Sequence, residues 1–230
     1  LTRARDRVCV DLFSGLGGFS QAFLDKGWTV YRYDNDEQFK KVPCTHIVDV
    51  LELTPEMIKG EHEEVDILLM SPPCNCFSTM TIRYYWKNGV PDERARAAIQ
   101  LVKHALWLKD QIPPTFWVLE NPIGMLVRVL GQPMMRTWWA AWGSNCLKPT
   151  NLWGILPAIN WPKRPTSGYE KIPRDAKDRQ RGVQGIKDGA LSAMVPYEFS
   201  KALCMAIEND SGGQTPLAAF YDHQSPGRNK

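Results

Sequence analysis

The residues best fitted by type and spacing to do chemistry lie in Ser71-Pro72-Pro73-Cys74-Asn75-Cys76-Phe77-Ser78, directly after the apolar run 65–70. Two consecutive prolines fix φ twice and remove two N–H donors, so a strand must stop there and cannot pass at once into helix. Cys74 is thereby placed on a stiff loop at the end of a buried strand, the edge at which open α/β sheets hold their ligands. A thiolate there is a strong nucleophile. Taken alone, the same cysteine is a small apolar cap on the sheet. A second reactive group closes the run Phe116-Trp117-Val118-Leu119, where Glu120-Asn121-Pro122 follows. It is either a commonplace turn or an acid at the tip of a strand beside the one that carries Cys74.

The elements that must position these groups are legible in order. Val8-Cys9-Val10-Asp11-Leu12-Phe13 reads as a strand, and Ser14-Gly15-Leu16-Gly17-Gly18-Phe19-Ser20 as a glycine-rich turn feeding a helix with Phe19, Phe23 and Leu24 on one face. Glycines there let a ligand approach the backbone while the helix start offers free N–H groups; a plain tight turn has the same composition. The next strand, Trp28 onward, ends in Asp34, placed to accept hydrogen bonds from ribose hydroxyls, although Asn35-Asp36-Glu37 beside it also reads as a solvated helix start. A third, Thr45-His46-Ile47-Val48, ends in Asp49, where a carboxylate meets an adenine amino group. Alternation of strand and helix predicts an α/β fold with a doubly wound, mostly parallel sheet. Ile82-Arg83-Tyr84-Tyr85-Trp86-Lys87 has no period and reads as a loop, either closing over a substrate or half tucked into the surface. The segment 92–112 reads as a long amphipathic helix stopped by Pro113-Pro114.

Composition narrows the class. The chain has 230 residues, 43% hydrophobic and 23% charged, with a net charge of +3, which suits one α/β domain of ordinary make-up. No apolar run approaches the ~18 residues of a membrane span, and no signal-type segment follows Leu1, so the expected location is the cytoplasm. Six scattered cysteines read as reduced thiols. Cys74-x-Cys76 is too closely spaced for a zinc knuckle, and no metal is expected.

Three motifs in one order, Asp11 to Phe19, Pro72-Pro73-Cys74 and Glu120-Asn121, resemble those of the DNA cytosine-5 methyltransferases. The chain is most similar to the short phage-type members, which carry Glu-Asn-Pro-x-Gly and a later Lys-Pro-Thr-x-x-Trp like Lys148-Pro149-Thr150-Asn151-Leu152-Trp153. The resemblance implies a mostly parallel seven-stranded sheet, the class I S-adenosylmethionine-dependent methyltransferase fold. It implies S-adenosylmethionine as cofactor, held by Phe13, Ser14, Gly15, Gly17, Gly18, Asp34, Asp49 and Pro72. It makes Cys74 the nucleophile at carbon 6 of a flipped-out cytosine in duplex DNA and Glu120 the acid at the ring nitrogen, with Asn121, Arg83, Lys148, Thr150 and Arg164 as substrate contacts. Protection of DNA in a restriction-modification setting, in a host cytoplasm, is the implied context.

The chain departs from that pattern at three places. Pro122 replaces the usual valine. Cys146-Leu147-Lys148-Pro149-Thr150 stands where a Gln-x-Arg-x-Arg run is typical, with Lys148 and Thr150 near the two arginines. The interval 161–190 replaces a long target-recognition domain. It holds eight basic side chains, Arg164, Arg174, Lys177, Arg179 and Arg181 among them, against four acidic ones, a charge suited to a phosphate backbone or to a solvated surface. The expected organisation is one catalytic domain over 1–210, with 161–190 as a basic insertion and 211–230 as a disordered tail. A protein partner for specificity, an RNA substrate, a catalytically silent nucleic-acid-binding module and an already modified pyrimidine remain open readings.

Overall fold

The computed structural model describes residues 6–60, 64–168 and 189–210. Along the chain run β1 (Val8–Leu12), α1 (Gln21–Asp25), β2 (Thr29–Asp34), β3 (Thr45–Ile47), α2 (Pro55–Lys59), β4 (Ile67–Met70), α3 (Ile82–Tyr85), β5 (Trp86–Lys87), β6 (Val90–Pro91), α4 (Glu93–Gln111), β7 (Phe116–Pro122), α5 (Val127–Leu130), β8 (Met135–Trp138), β9 (Pro149–Ile155), α6 (Gly189–Ala193) and α7 (Tyr197–Asp210). Seven strands form one sheet in the order β3-β2-β1-β4-β7-β9-β8. All run parallel except β9, which is antiparallel to both of its neighbours.

The period of two along each strand decides what packs where. Val8, Val10 and Leu12 of β1, Leu68 and Met70 of β4 and Leu119 of β7 turn to one face, against Ala95, Val102, Ala105 and Leu108 of α4. Cys9, Ile67, Leu69, Phe116 and Val118 turn to the other, against Phe23 of α1 and Phe199, Leu203 and Cys204 of α7. Helix α4 starts where the Asp92 carboxylate accepts a hydrogen bond from the Ala95 N–H, an N-cap. Asp11 and Glu120 share the second parity, and both are buried, Glu120 with 4% of its surface exposed.

The fold decides one open reading and changes one expectation. Glu120-Asn121-Pro122 is not a turn: these residues continue β7 because β9 pairs with them through Leu152, Asn151 and Thr150. The segment 82–87 is not a loop. It forms α3 and the first strand of the hairpin β5–β6, pinned by the Trp86 indole N–H donating to the Cys76 carbonyl at 2.7 Å. Of the basic interval 161–190, residues 169–188 lie outside the described residues, and so does 211–230; the expectations for Arg174, Lys177, Arg179, Arg181 and the tail fall there. Among the described residues no helix is long and apolar enough to cross a membrane, and no disulfide joins any two of the six cysteines.

Candidate active site

At the C-terminal edge of β1, β2, β4 and β7 the chain leaves each strand in a different way, and between those exits lies a cleft of about 270 Å³. After β1, Phe13 adopts φ +60° and Gly15 φ +51°, a sharp reversal that turns the Gly15 N–H onto the Asp34 carboxylate at 2.9 Å. Asp34 thus ends β2 with its side chain held against the glycine turn, and its other oxygen accepts from the Asp36 N–H at 3.0 Å. The glycines of that turn have distinct tasks. A Cβ on Gly17 would fall 2.5 Å from the Arg32 guanidinium, and one on Gly18 would fall 2.5 Å from Met194 and 2.6 Å from the Val195 carbonyl. Gly17 therefore makes room for a buried arginine, and Gly18 for the segment that follows α6.

Beneath the turn lies a buried polar network. Arg32, wholly inaccessible, donates to the Ser20 hydroxyl at 2.8 Å, the Gly17 carbonyl at 3.0 Å and the Pro43 carbonyl at 2.9 Å. Ser20 in turn donates to Asp11 at 2.6 Å. Burial pushes the Asp11 carboxyl up to about 7, against the lowering effects of the Ser20 hydroxyl and of Arg32. Arg32 gave no functional signal in the sequence, where it is one residue in a strand.

After β4 the nucleophile loop is held from both sides. The Asn121 amide donates to the Pro72 carbonyl at 2.9 Å, and the Phe77 and Ser78 N–H groups both donate to the Cys74 carbonyl at 2.9 Å. Gly124 lets the loop come this close: the Met125 N–H donates to the Phe77 carbonyl at 2.8 Å, and a Cβ on Gly124 would lie 1.8 Å from that oxygen. Burial raises the Cys74 thiol, opposed by the Lys148 charge and reinforced by Glu120. Burial also raises Glu120, opposed by Lys148 and by a hydrogen bond from the Thr150 side chain. Lys148 is 9% exposed and its Nζ donates to the Ala193 carbonyl, at the end of α6, at 3.3 Å.

The structure brings Phe13, Ser14, Gly15, Gly18, Asp34, Pro72, Cys74, Glu120 and Lys148 to the wall of one cleft. Other expected residues stand elsewhere. Gly17 packs on Arg32. Asp49 caps a 3₁₀ turn by accepting from the Leu51 N–H at 2.9 Å, because β3 stops at Ile47 and the chain bends before the carboxylate can reach the cleft. Arg83 is exposed and lies over the Tyr84 ring at 4.7 Å; Arg164 is exposed on an irregular segment. Asn121 and Thr150 are buried behind the wall, the first holding Pro72 and the second donating to the Lys148 carbonyl at 3.2 Å. Phe39, Ser71, Met194 and Val195 also line the cleft and were not singled out in the sequence. Phe39 follows Asp34 closely enough to have been found as an aromatic near the ribose acid. Met194 and Val195 carry no local signal.

The model of the family described as C-5 cytosine-specific DNA methylase matches residues 8–132, and the chain belongs to that family. Its sheet is that of the class I methyltransferases. Over 82 residues it is 37% identical to the "Putative type II methyltransferase M.MJ0563P" of Methanocaldococcus jannaschii, a match covering 30% of this chain and 25% of that protein. Among solved structures it is similar to an E. coli prophage protein described as a "putative DNA modification methyltransferase", with 20% identity and a TM-score of 0.49 over 69% of this chain and 51% of that one. It is also similar to the methyltransferase EhMeth of Entamoeba histolytica, with 14% identity and a TM-score of 0.46 over 71% of this chain and 58% of that one. The chain thus spans about half the length of these structures and a quarter of the archaeal protein.

Proposed function

We propose that the protein transfers a methyl group from S-adenosylmethionine to carbon 5 of cytosine in DNA, with Cys74 as the nucleophile. The observation that supports this most is the meeting, in one cleft, of a proline-stiffened thiol and a buried acid with the ribose-type carboxylate Asp34. The residues present fit the cofactor. Ser14 Oγ and Ser71 Oγ are buried with no partner among the described residues, and Asp34 sits where a nucleoside's hydroxyls would meet it. The turn from Phe13 to Gly18, Asp34 and Phe39 would hold S-adenosylmethionine, whose sulfonium supplies an electrophilic methyl group.

Carbon 5 of cytosine is a weak nucleophile, and the protein's own groups correct this. The Cys74 thiolate forms a bond to carbon 6, while Glu120, whose carboxyl burial raises toward the protonated form, donates as the acid to the ring nitrogen N3, so the C5–C6 π pair localises on carbon 5 without a full negative charge. Glu120 Oε1 is buried with no hydrogen-bond partner among the described residues, an acid waiting for one. Once carbon 5 carries the methyl group, a water takes its proton, the C–H pair re-forms the C5–C6 double bond, Cys74 leaves as the thiolate and the N3 proton returns to Glu120. A base stacked in a duplex cannot reach this depth, so the target must be extruded at a cost of a few kcal/mol.

The test uses duplex DNA carrying 5-fluorocytosine, whose fluorine cannot leave as a proton, together with S-adenosylmethionine. A covalent adduct located on Cys74 by peptide mass spectrometry is expected, and none in Cys74→Ala. An adduct on Cys76, or none from a chain that methylates ordinary DNA, overturns the assignment. Transfer RNA run in parallel decides the nucleic-acid class.

A further inference from the structure

The cleft holds two acids that must serve in opposite states. Chemistry needs Cys74 as a thiolate and Glu120 as a carboxylic acid, yet a free carboxyl ionises far below a free thiol. Lys148 is the one basic side chain among the described residues that line the cleft. Its charge acts on both acids, and its position is imposed rather than incidental. The backbone is bent to φ +27° at Lys148, a left-handed conformation that disfavours ordinary side chains. The side chain is buried and hydrogen-bonded to the Ala193 carbonyl.

Resting on the function proposed above, we propose that Lys148 is a positioning residue that fixes the Cys74–Glu120 pair at a single shared negative charge. One buried cation compensates one anion, not two. The pair then alternates between thiol with carboxylate and thiolate with carboxylic acid. The change moves one proton from Cys74 Sγ to a Glu120 carboxylate oxygen, with no gain or loss of charge in the cleft. A single transfer produces the nucleophile and the acid together. The other titratable groups nearby are Cys76 on the same loop and, across the cleft, Asp34 and Asp36. Asp34 is tied up by the Gly15 and Asp36 N–H groups. The Ala193 carbonyl holds Lys148 from the side of α6, which joins the charge setting to the segment seated on Gly18.

The experiment reads the thiol directly, with neither DNA nor methyl donor. Iodoacetamide alkylation of Cys74 is followed by peptide mass spectrometry across pH in the full chain, in Lys148→Met, Lys148→Arg and Glu120→Gln, with exposed Cys44 as internal reference. Lys148→Met should move the Cys74 midpoint up by about one pH unit, slowing alkylation about tenfold at pH 7.5, and leave Cys44 unmoved; Lys148→Arg should restore it. Glu120→Gln, by removing the competing acid, should move the midpoint down. An unchanged Cys74 profile in Lys148→Met, or equal profiles in the Met and Arg variants, overturns the proposal. Should the Lys148 variants fail to fold, a midpoint that does not fall in Glu120→Gln overturns it. Failure to methylate DNA with the expected alkylation profile would instead sink the proposed function alone.

Discussion

Two cysteines two positions apart are separated in role by what surrounds them. Cys74 lies in the cleft wall beside Glu120 and Lys148, while Cys76 answers to Asp92 and Arg94 and contributes its backbone carbonyl to Trp86. Cys74→Ala is therefore expected to abolish methyl transfer with S-adenosylhomocysteine binding retained by calorimetry, and Cys76→Ala to retain most of the rate. Glu120→Gln keeps the shape and the ability to donate an N–H but removes the acid. A loss of ~10²–10⁴ in single-turnover rate is expected, the usual range for an acid in this role; a rate within tenfold of wild type would place the proton donor elsewhere. The positions of Cys74, Glu120 and Asp34 at one cleft were readable because each stands at a strand end marked by a change of period. The task of Gly17 was not, since it depends on Arg32, which is distant in sequence and adjacent only in the folded sheet.

At the scale of elements, the tip of β7 and the nucleophile loop form one unit. Gly124 lies two residues beyond Pro122 and is closed on by the Phe77 backbone, so an added methyl meets a carbonyl that no rotamer change can move. Gly124→Ala should lower stability by about 1–3 kcal/mol, as overpacking generally does, and depress methyl transfer more than cofactor binding. Denaturant melts and calorimetry on the same preparation check this, and an unchanged rate would show the loop to be independent of β7. The network under the glycine turn makes a separate prediction. The Asp11 carboxyl sits near 7 in the fold and near 3.8 when exposed, so between these values the folded state binds more protons than the unfolded one. Its stabilising contribution is complete below about pH 4 and is lost as pH rises through about 7. Asp11→Asn lacks this titration, so the melting temperature of wild type minus that of the variant should fall from pH 4.5 to pH 8. A difference that rises with pH would mean that the attraction of Arg32 outweighs burial.

For the whole molecule, five of the sheet's seven strands and the exits that carry Cys74, Glu120 and Asp34 were legible, because strands of alternating or continuous apolar residues end at prolines, glycines and acids. The rest of the site was not, because it is built by contacts across long sequence separations: Met194 on Gly18, Lys148 on Ala193, Asn121 on Pro72. What reads the DNA sequence is a proposal at this scale. With a basic excess concentrated in 161–190 and few side chains to spare for base edges, binding should be dominated by phosphate contacts, which position without specifying. A relaxed target, or dependence on a protein partner for specificity, is the expected result of bisulfite mapping with the isolated chain. Each phosphate neutralised contributes about −0.9 to the slope of log affinity against log salt, so four to six contacts give roughly −4 to −5 on duplex DNA. Replacing Arg174, Lys177, Arg179 and Arg181 together by glutamine should flatten that slope by about 3.6 and weaken all sequences alike. An affinity indifferent to salt, or one long and strictly defined target, would locate recognition instead on the fixed projection of α3 and the β5–β6 hairpin. There Tyr84 stands 60% exposed beside Arg83, and Tyr84→Ala would then be the change that relaxes the target.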